Sequence, residues 1–166
     1  MKATGTMSIS SNNRILVIGY GSSLGCGDAV GALAAGSLAD RKRSNVLAIS
    51  VTQLVPELAT LVASARAVIF VDACARQDQQ TVEVRELTPA CPLARQTHST
   101  GPRELLSLAR SCYDRSPPAW LVTVPGRDVG ISDHLSDAGQ EQQLATAKQQ
   151  VDRLIAVVLG DGVAHA

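Results

Sequence analysis

Apolar residues fall along this chain in two alternating rhythms. Arg14 to Tyr20 is a short apolar run that ends in Gly19 and Tyr20, and it predicts a central strand. A Gly/Ser segment from Gly21 to Gly27 follows. Asp28 to Ala39 then carries Ala and Leu at helical spacing, with Asp28 in the first turn. Asn45 to Val51 predicts a second strand. Pro56 to Ser64 predicts a second helix, since Pro near a helix start forfeits no hydrogen bond. Ala67 to Ala73 is apolar without a break until Asp72, so it predicts a third strand buried on both faces.

The rhythm changes at Thr81 to Leu87. Val82 and Val84 alternate there with Glu83 and Arg85, which predicts a half-exposed edge strand. A long polar segment, Thr88 to Thr100, carries His98 and leads to a helix over Pro102 to Cys112. Trp120 to Val124 predicts the fifth strand, and Pro125 to Asp137 a second long loop. Gly139 to Leu159 has the spacing of an amphipathic helix, with Leu144, Val151, Leu154, Ile155 and Val158 on its apolar face. Strands alternating with helices imply an α/β fold: a single-domain three-layer sandwich, with a mostly parallel, twisted five-stranded sheet and helices on both faces. Residues 1–12 read as a disordered lead and 13–166 as one domain.

Composition adds little that would change this. The 166 residues are 45% hydrophobic but only 2% aromatic, so the core is expected to be aliphatic. Formal net charge is zero, and the one basic run, Arg41 to Arg43, suits a helix C-terminus. No nucleic-acid partner is expected from that pattern. The first residues lack the apolar stretch of a signal peptide, and no apolar run is long enough to span a bilayer, so no membrane partner is expected. The four cysteines, Cys26, Cys74, Cys91 and Cys112, form no C-x-x-C pair, and a reduced, cytoplasmic setting fits them.

Candidate chemistry gathers at the strand ends. In an open α/β sheet, ligands bind beyond the carboxyl ends of the strands, where neighbouring strands lead off in opposite directions. Asp28 follows the loop after the first strand, Asp72 ends the third, and these strands are commonly adjacent. An acid directly after Val68 to Val71 needs a hydrogen bond, a cation or a metal. The loop bearing His98 could return over the same crevice, and two carboxylates with one imidazole suit a first-row divalent ion. Each residue also has an ordinary role open to it. Asp28 can favour a helix N-terminus. Asp72 can accept backbone N–H bonds, and His98 can be an exposed loop histidine. Cys26 and Cys74 flank the acids. A thiol nucleophile with His98 as base is one reading of them, and small packing residues the other. A dinucleotide fingerprint fits poorly, because Leu24 stands where a glycine is required and no acid closes strand two.

Ile15-Leu-Val-Ile-Gly-Tyr-Gly-Ser-Ser-Leu-Gly-Cys-Gly-Asp-Ala-Val-Gly31 resembles the opening motif of the nickel–iron hydrogenase maturation endopeptidases. Val68-Ile-Phe-Val-Asp-Ala73 resembles their third-strand motif. Thr97-His-Ser-Thr-Gly-Pro-Arg-Glu-Leu-Leu106 resembles their histidine-bearing segment, and Trp120-Leu-Val-Thr-Val-Pro-Gly126 their fifth strand. The likeness runs in order from about residue 14 to the C-terminal helix. Ser22 stands where the family usually has Asn, Gly27 where it has an acid, and Asp28 where the ligand is often Glu. Val51-Thr52-Gln53 replaces a Gly-Gly-Thr stretch, and Gln53 to Leu58 is similar to a family variant.

The resemblance implies that Asp28, Asp72 and His98 are both the metal ligands and the catalytic set. It implies that they recognise nickel carried by the precursor of a hydrogenase large subunit. The chain would then remove a C-terminal peptide from that partner, as an aspartyl-type or metal-dependent peptidase. The nickel would be cargo of the substrate and not a resident cofactor. A non-catalytic chaperone of the same fold, binding the precursor without cutting it, is the alternative.

Overall fold

In the computed structural model the described residues are 14–21, 35–36, 44–74, 81–90, 100–125 and 138–160. They form a five-stranded sheet of β1 (Ile15–Tyr20), β2 (Val46–Val51), β3 (Ala67–Cys74), β4 (Glu83–Leu87) and β5 (Ala119–Pro125). The helices with full bounds are α1 (Ala59–Ser64), entered through a 3-10 turn at Pro56–Leu58, α2 (Pro102–Tyr113) and α3 (Ala138–Leu159). Ala35 and Gly36 are helical too, inside the helix expected after the first strand.

Strand order across the sheet is β2-β1-β3-β5-β4. The first four run parallel, and β4 pairs antiparallel with β5 at the edge. The adjacency of β1 and β3 expected from sequence holds, with Ile15 opposite Ala67 and Tyr20 opposite Asp72. This is the mostly parallel α/β sheet that the hydrophobic rhythm predicts.

Alternation along each strand sends side chains to two cores. On one face Leu16, Ile18, Val68, Phe70 and Leu121 pack with Val62 and Ala63 of α1 and with Leu105, Leu106 and Ala109 of α2. On the other, Ile15, Val17, Ile69, Val71, Val122 and Val124 pack with Ala35 and with Ala147, Val151 and Ile155 of α3. The chain's single Phe, Phe70, sits fully buried on the central strand, and the other buried hydrophobic side chains among the described residues are aliphatic. The predicted stripe on α3 divides: Val151 and Ile155 are buried, while Leu144, Leu154 and Val158 are partly covered. Ala147 completes the buried line at i, i+4, i+8, a small residue that lets the helix lie close to the sheet.

Two differences from the sequence reading have physical causes. Pro56–Leu58 is a tight 3-10 turn ahead of α1 and not its first turn. Val84, read as an alternating apolar position of the edge strand, is exposed, since among the described elements α3 packs mainly over β5. Leu87 alone in β4 is buried.

The two helices on the first face are tied at their ends. The Arg115 guanidinium Nε donates to Ala63 O at 3.3 Å, and the Thr60 and Tyr113 hydroxyls bond at 2.7 Å. Asp114 closes α2 in the left-handed region, φ 52°, with its N–H on Arg110 O at 3.1 Å. Asp is one of the few residues that tolerate that region.

Phe70 is the largest fully buried side chain and touches both helices' side of the sheet. Truncation there leaves a cavity that rigid neighbouring strands cannot close. Phe70→Ala is expected to cost about 3–5 kcal/mol in urea unfolding. A loss below about 1 kcal/mol would mean that this core relaxes around the gap.

Candidate functional site at the sheet's switch point

The strand order fixes where a site can form. From β1 the chain passes to β2 on one side, and from β3 to β4 and β5 on the other. The carboxyl ends of β1 and β3 are therefore the switch point of this sheet.

One transverse row crosses that edge: Val51 of β2, Tyr20 of β1, Asp72 of β3, Thr123 of β5 and Glu83 of β4, each the register partner of the next. Two residues earlier on the parallel strands, the same face carries Ile49, Ile18, Phe70 and Leu121. On β1, β3 and β5 the face thus changes from hydrocarbon to polar within two residues, while β2 keeps Val51 there. Asp72 is held against a wall of buried aliphatic and aromatic carbon by the backbone pairing on both sides of β3.

Tyr20 answers the need of that carboxylate for a partner. Its hydroxyl donates to Asp72 Oδ2 at 2.9 Å, from one side of the switch point to the other. The phenol ring packs against the first core. Burial, the negative charge of Asp72 and the hydrogen bond to it, in that order, raise the Tyr20 pKa, and the Arg85 guanidinium pulls it the other way. The phenol is therefore a neutral donor throughout the ordinary pH range, and the carboxylate is its acceptor.

The sequence matches no known family model and no curated protein. Solved structures do match over nearly the whole chain. A [NiFe] hydrogenase maturation protease, HycI from Thermococcus kodakarensis KOD1, superposes with a TM-score of 0.62 at 23% identity, covering 89% of this chain and 93% of the other. The hydrogenase maturating endopeptidase HybD from E. coli gives 0.64 at 21% identity, over 90% and 94%. A hydrogenase 2 maturation peptidase from Thaumarchaeota archaeon SCGC_AB-539-E09 gives 0.61 at 22%, over 86% and 97%. The chain has the fold of the hydrogenase maturation proteases. At these identities the likeness describes the backbone, and chemistry has to be argued from side chains.

Within the maturation-protease fold, Asp72 lies near the carboxyl end of the central strand, half-buried, and the strand runs on two residues beyond it to Cys74. Asp28 and His98 lie outside the described residues, as do Cys26 and Cys91. Among the described residues no three His, Cys, Asp or Glu side chains group closely enough to share a metal. No helix among them is long and apolar enough to cross a membrane. Cys112 is exposed and unbridged.

The ends of the segment that holds His98 are well fixed. Ala90 N–H donates to Arg103 O at 3.0 Å, Ser107 Oγ donates to Ala90 O at 2.9 Å, and Arg103 Nε donates to Thr88 O at 3.0 Å. Gly101 at the other end is the N-cap of α2, its carbonyl accepting from Leu105 N–H at 3.1 Å. The described residues on its two sides, Thr88 to Ala90 and Gly101, thus bond to the first two turns of α2.

Sequence reasoning missed Tyr20. A signal existed: two apolar runs on adjacent strands end at the same sheet edge, one in a phenol and the other in an acid. The raised pKa has a consequence for stability. Above pH 10.0, the ordinary value of the phenol, the unfolded chain loses this proton while the folded chain keeps it. The contribution of the neutral phenol is whole below that pH and declines as pH rises further. Unfolding free energies measured from neutral to alkaline pH should fall more steeply for the wild type than for Tyr20→Phe. Equal slopes would mean that Tyr20 holds its proton no more tightly than a free phenol.

Proposed function

We propose that this chain is the endopeptidase that trims the C-terminus of a nickel–iron hydrogenase large-subunit precursor once nickel has been inserted. The observation that carries the reading is Asp72. It is a carboxylate near the carboxyl end of the central strand, at the switch point, in a sheet of the maturation-protease fold. The ordered motif segments, with Asp28 after β1 and His98 ahead of α2, supply the remaining two groups of the proposed set.

The chemistry follows from the donor set. Two carboxylates and an imidazole offer oxygen and nitrogen to a borderline divalent ion and leave positions for the groups that the ion brings with it. Nickel already seated in the precursor would bring the substrate's own ligands. Docking by way of the metal then orients the adjoining chain, so that a precursor without nickel lacks its anchor. Holding the scissile peptide at one place and angle supplies a large part of the rate by itself. The carboxylates are the groups available to take a proton from water. In this role Asp28, Asp72 and His98 are at once nickel ligands and the catalytic set, nickel is a feature of the substrate, and the partner is the precursor.

Asp72→Ala and His98→Ala are each expected to abolish processing of a nickel-loaded precursor, read as the absence of the C-terminal mass loss, with circular dichroism unchanged. Full processing by both variants would remove these residues from the site. Stable binding of the precursor by the wild type without any cut would make the chain a non-catalytic chaperone instead.

A further inference from the structure

The phenol at the end of β1 plays no part in the reading above, yet it makes the direct contact with the acid on which that reading rests. We propose that Tyr20 is the positioning residue of the site: its hydroxyl, donated across the switch point to Asp72 Oδ2, fixes the carboxyl plane and biases Asp72 toward one-oxygen coordination of the substrate's metal. The inference rests on Asp72 being a ligand.

Three features carry it. First, Tyr20 and Asp72 are register partners on adjacent parallel strands, so their backbones are fixed relative to each other by the sheet itself. The rows beneath them, Ile18 beside Phe70 and Leu16 beside Val68, are buried and leave little room for a shift. Second, the Tyr20 ring packs against the first core, and a tyrosine has only two side-chain torsions. Its hydroxyl is therefore a nearly fixed point, 2.9 Å from Oδ2. Third, the last torsion of an aspartate is broad, so an unrestrained carboxylate samples many planes. A bond from a fixed donor to one oxygen narrows that freedom.

The same bond changes what the carboxylate offers. It occupies one lone pair of Oδ2 and weakens that oxygen as a donor. Symmetric chelation by both oxygens becomes unfavourable relative to coordination through one. Partners that orient a ligand from behind in this way commonly carry 10–100-fold in metal affinity or activity. Removing the hydroxyl alone leaves the ring, and with it most of the packing.

The test uses the full chain as wild type, Tyr20→Phe and Asp72→Ala. Each is measured for Ni2+ affinity of the isolated protein by calorimetry, for kcat and KM on nickel-loaded precursor, and for melting temperature. Tyr20→Phe is expected to lose about 10- to 100-fold in Ni2+ affinity and a comparable factor in kcat. Its melting curve should stay near that of the wild type. Tyr20→Phe equal to wild type in both readouts, while Asp72→Ala loses both, would end the positioning role and leave the ligand standing. If Asp72→Ala also matches wild type, the ligand assignment fails and the inference goes with it. If affinity falls in Tyr20→Phe only together with a large drop in melting temperature, the hydroxyl serves the fold and the positioning role is overturned.

Discussion

A carboxylate at the end of a buried parallel strand cannot be left without a partner. Desolvating a charge against hydrocarbon is costly unless hydrogen bonds replace the lost water. Asp72 meets this condition through the Tyr20 hydroxyl, a bond of the kind worth about 1.5–3 kcal/mol when one partner is charged. That bond needs β1 beside β3, which needs the parallel register, which needs both faces of the sheet covered. α1 and α2 cover one face, and Ala35 with α3 covers the other. The site is in this sense the end product of the packing. The strands that make the core rigid are the strands that aim the acid.

The sheet separates stability from chemistry along its length. Toward the amino ends, Ile15, Leu16, Ala67 and Val68 are buried hydrocarbon on both faces. Toward the carboxyl edge, β1 ends in Tyr20 and β3 carries Asp72 two residues before its last, Cys74. The apolar part has no polar side chain to leave unsatisfied, and each buried Val, Leu or Ile there adds roughly 1.5–3 kcal/mol. A polar row on that base can afford geometry chosen for function. The antiparallel β4 adds the outermost member of the row, Glu83, and the exposed Arg85 one step away. Charged side chains on an edge strand disfavour pairing with other chains.

Much of this was legible in the sequence because its signals were long and repeated. Unbroken apolar runs at Ile15 to Ile18 and Ala67 to Val71 allow few readings other than central strands. The 22-residue C-terminal helix shows its buried face over many turns. The limits of pattern appear where one residue decides. Pro56 marks a start but does not distinguish a 3-10 turn from an α-helical one. The alternation at Val84 announces an inward face only if a helix covers it, and sheet coverage is a tertiary fact. Asp72 was singled out by its position after an apolar run, but its partner could not be, because Tyr20 lies 52 residues away and only the strand order brings the two together. Asp28 and His98 rest on motif and order alone.

The central claim is that a nickel-bearing precursor is cut by this chain, and the intact mass of that precursor tests it directly. Wild-type protein incubated with nickel-loaded and with nickel-free precursor should remove a C-terminal peptide from the first and leave the second at full mass. Equal cleavage of both forms, or of neither, would contradict the account.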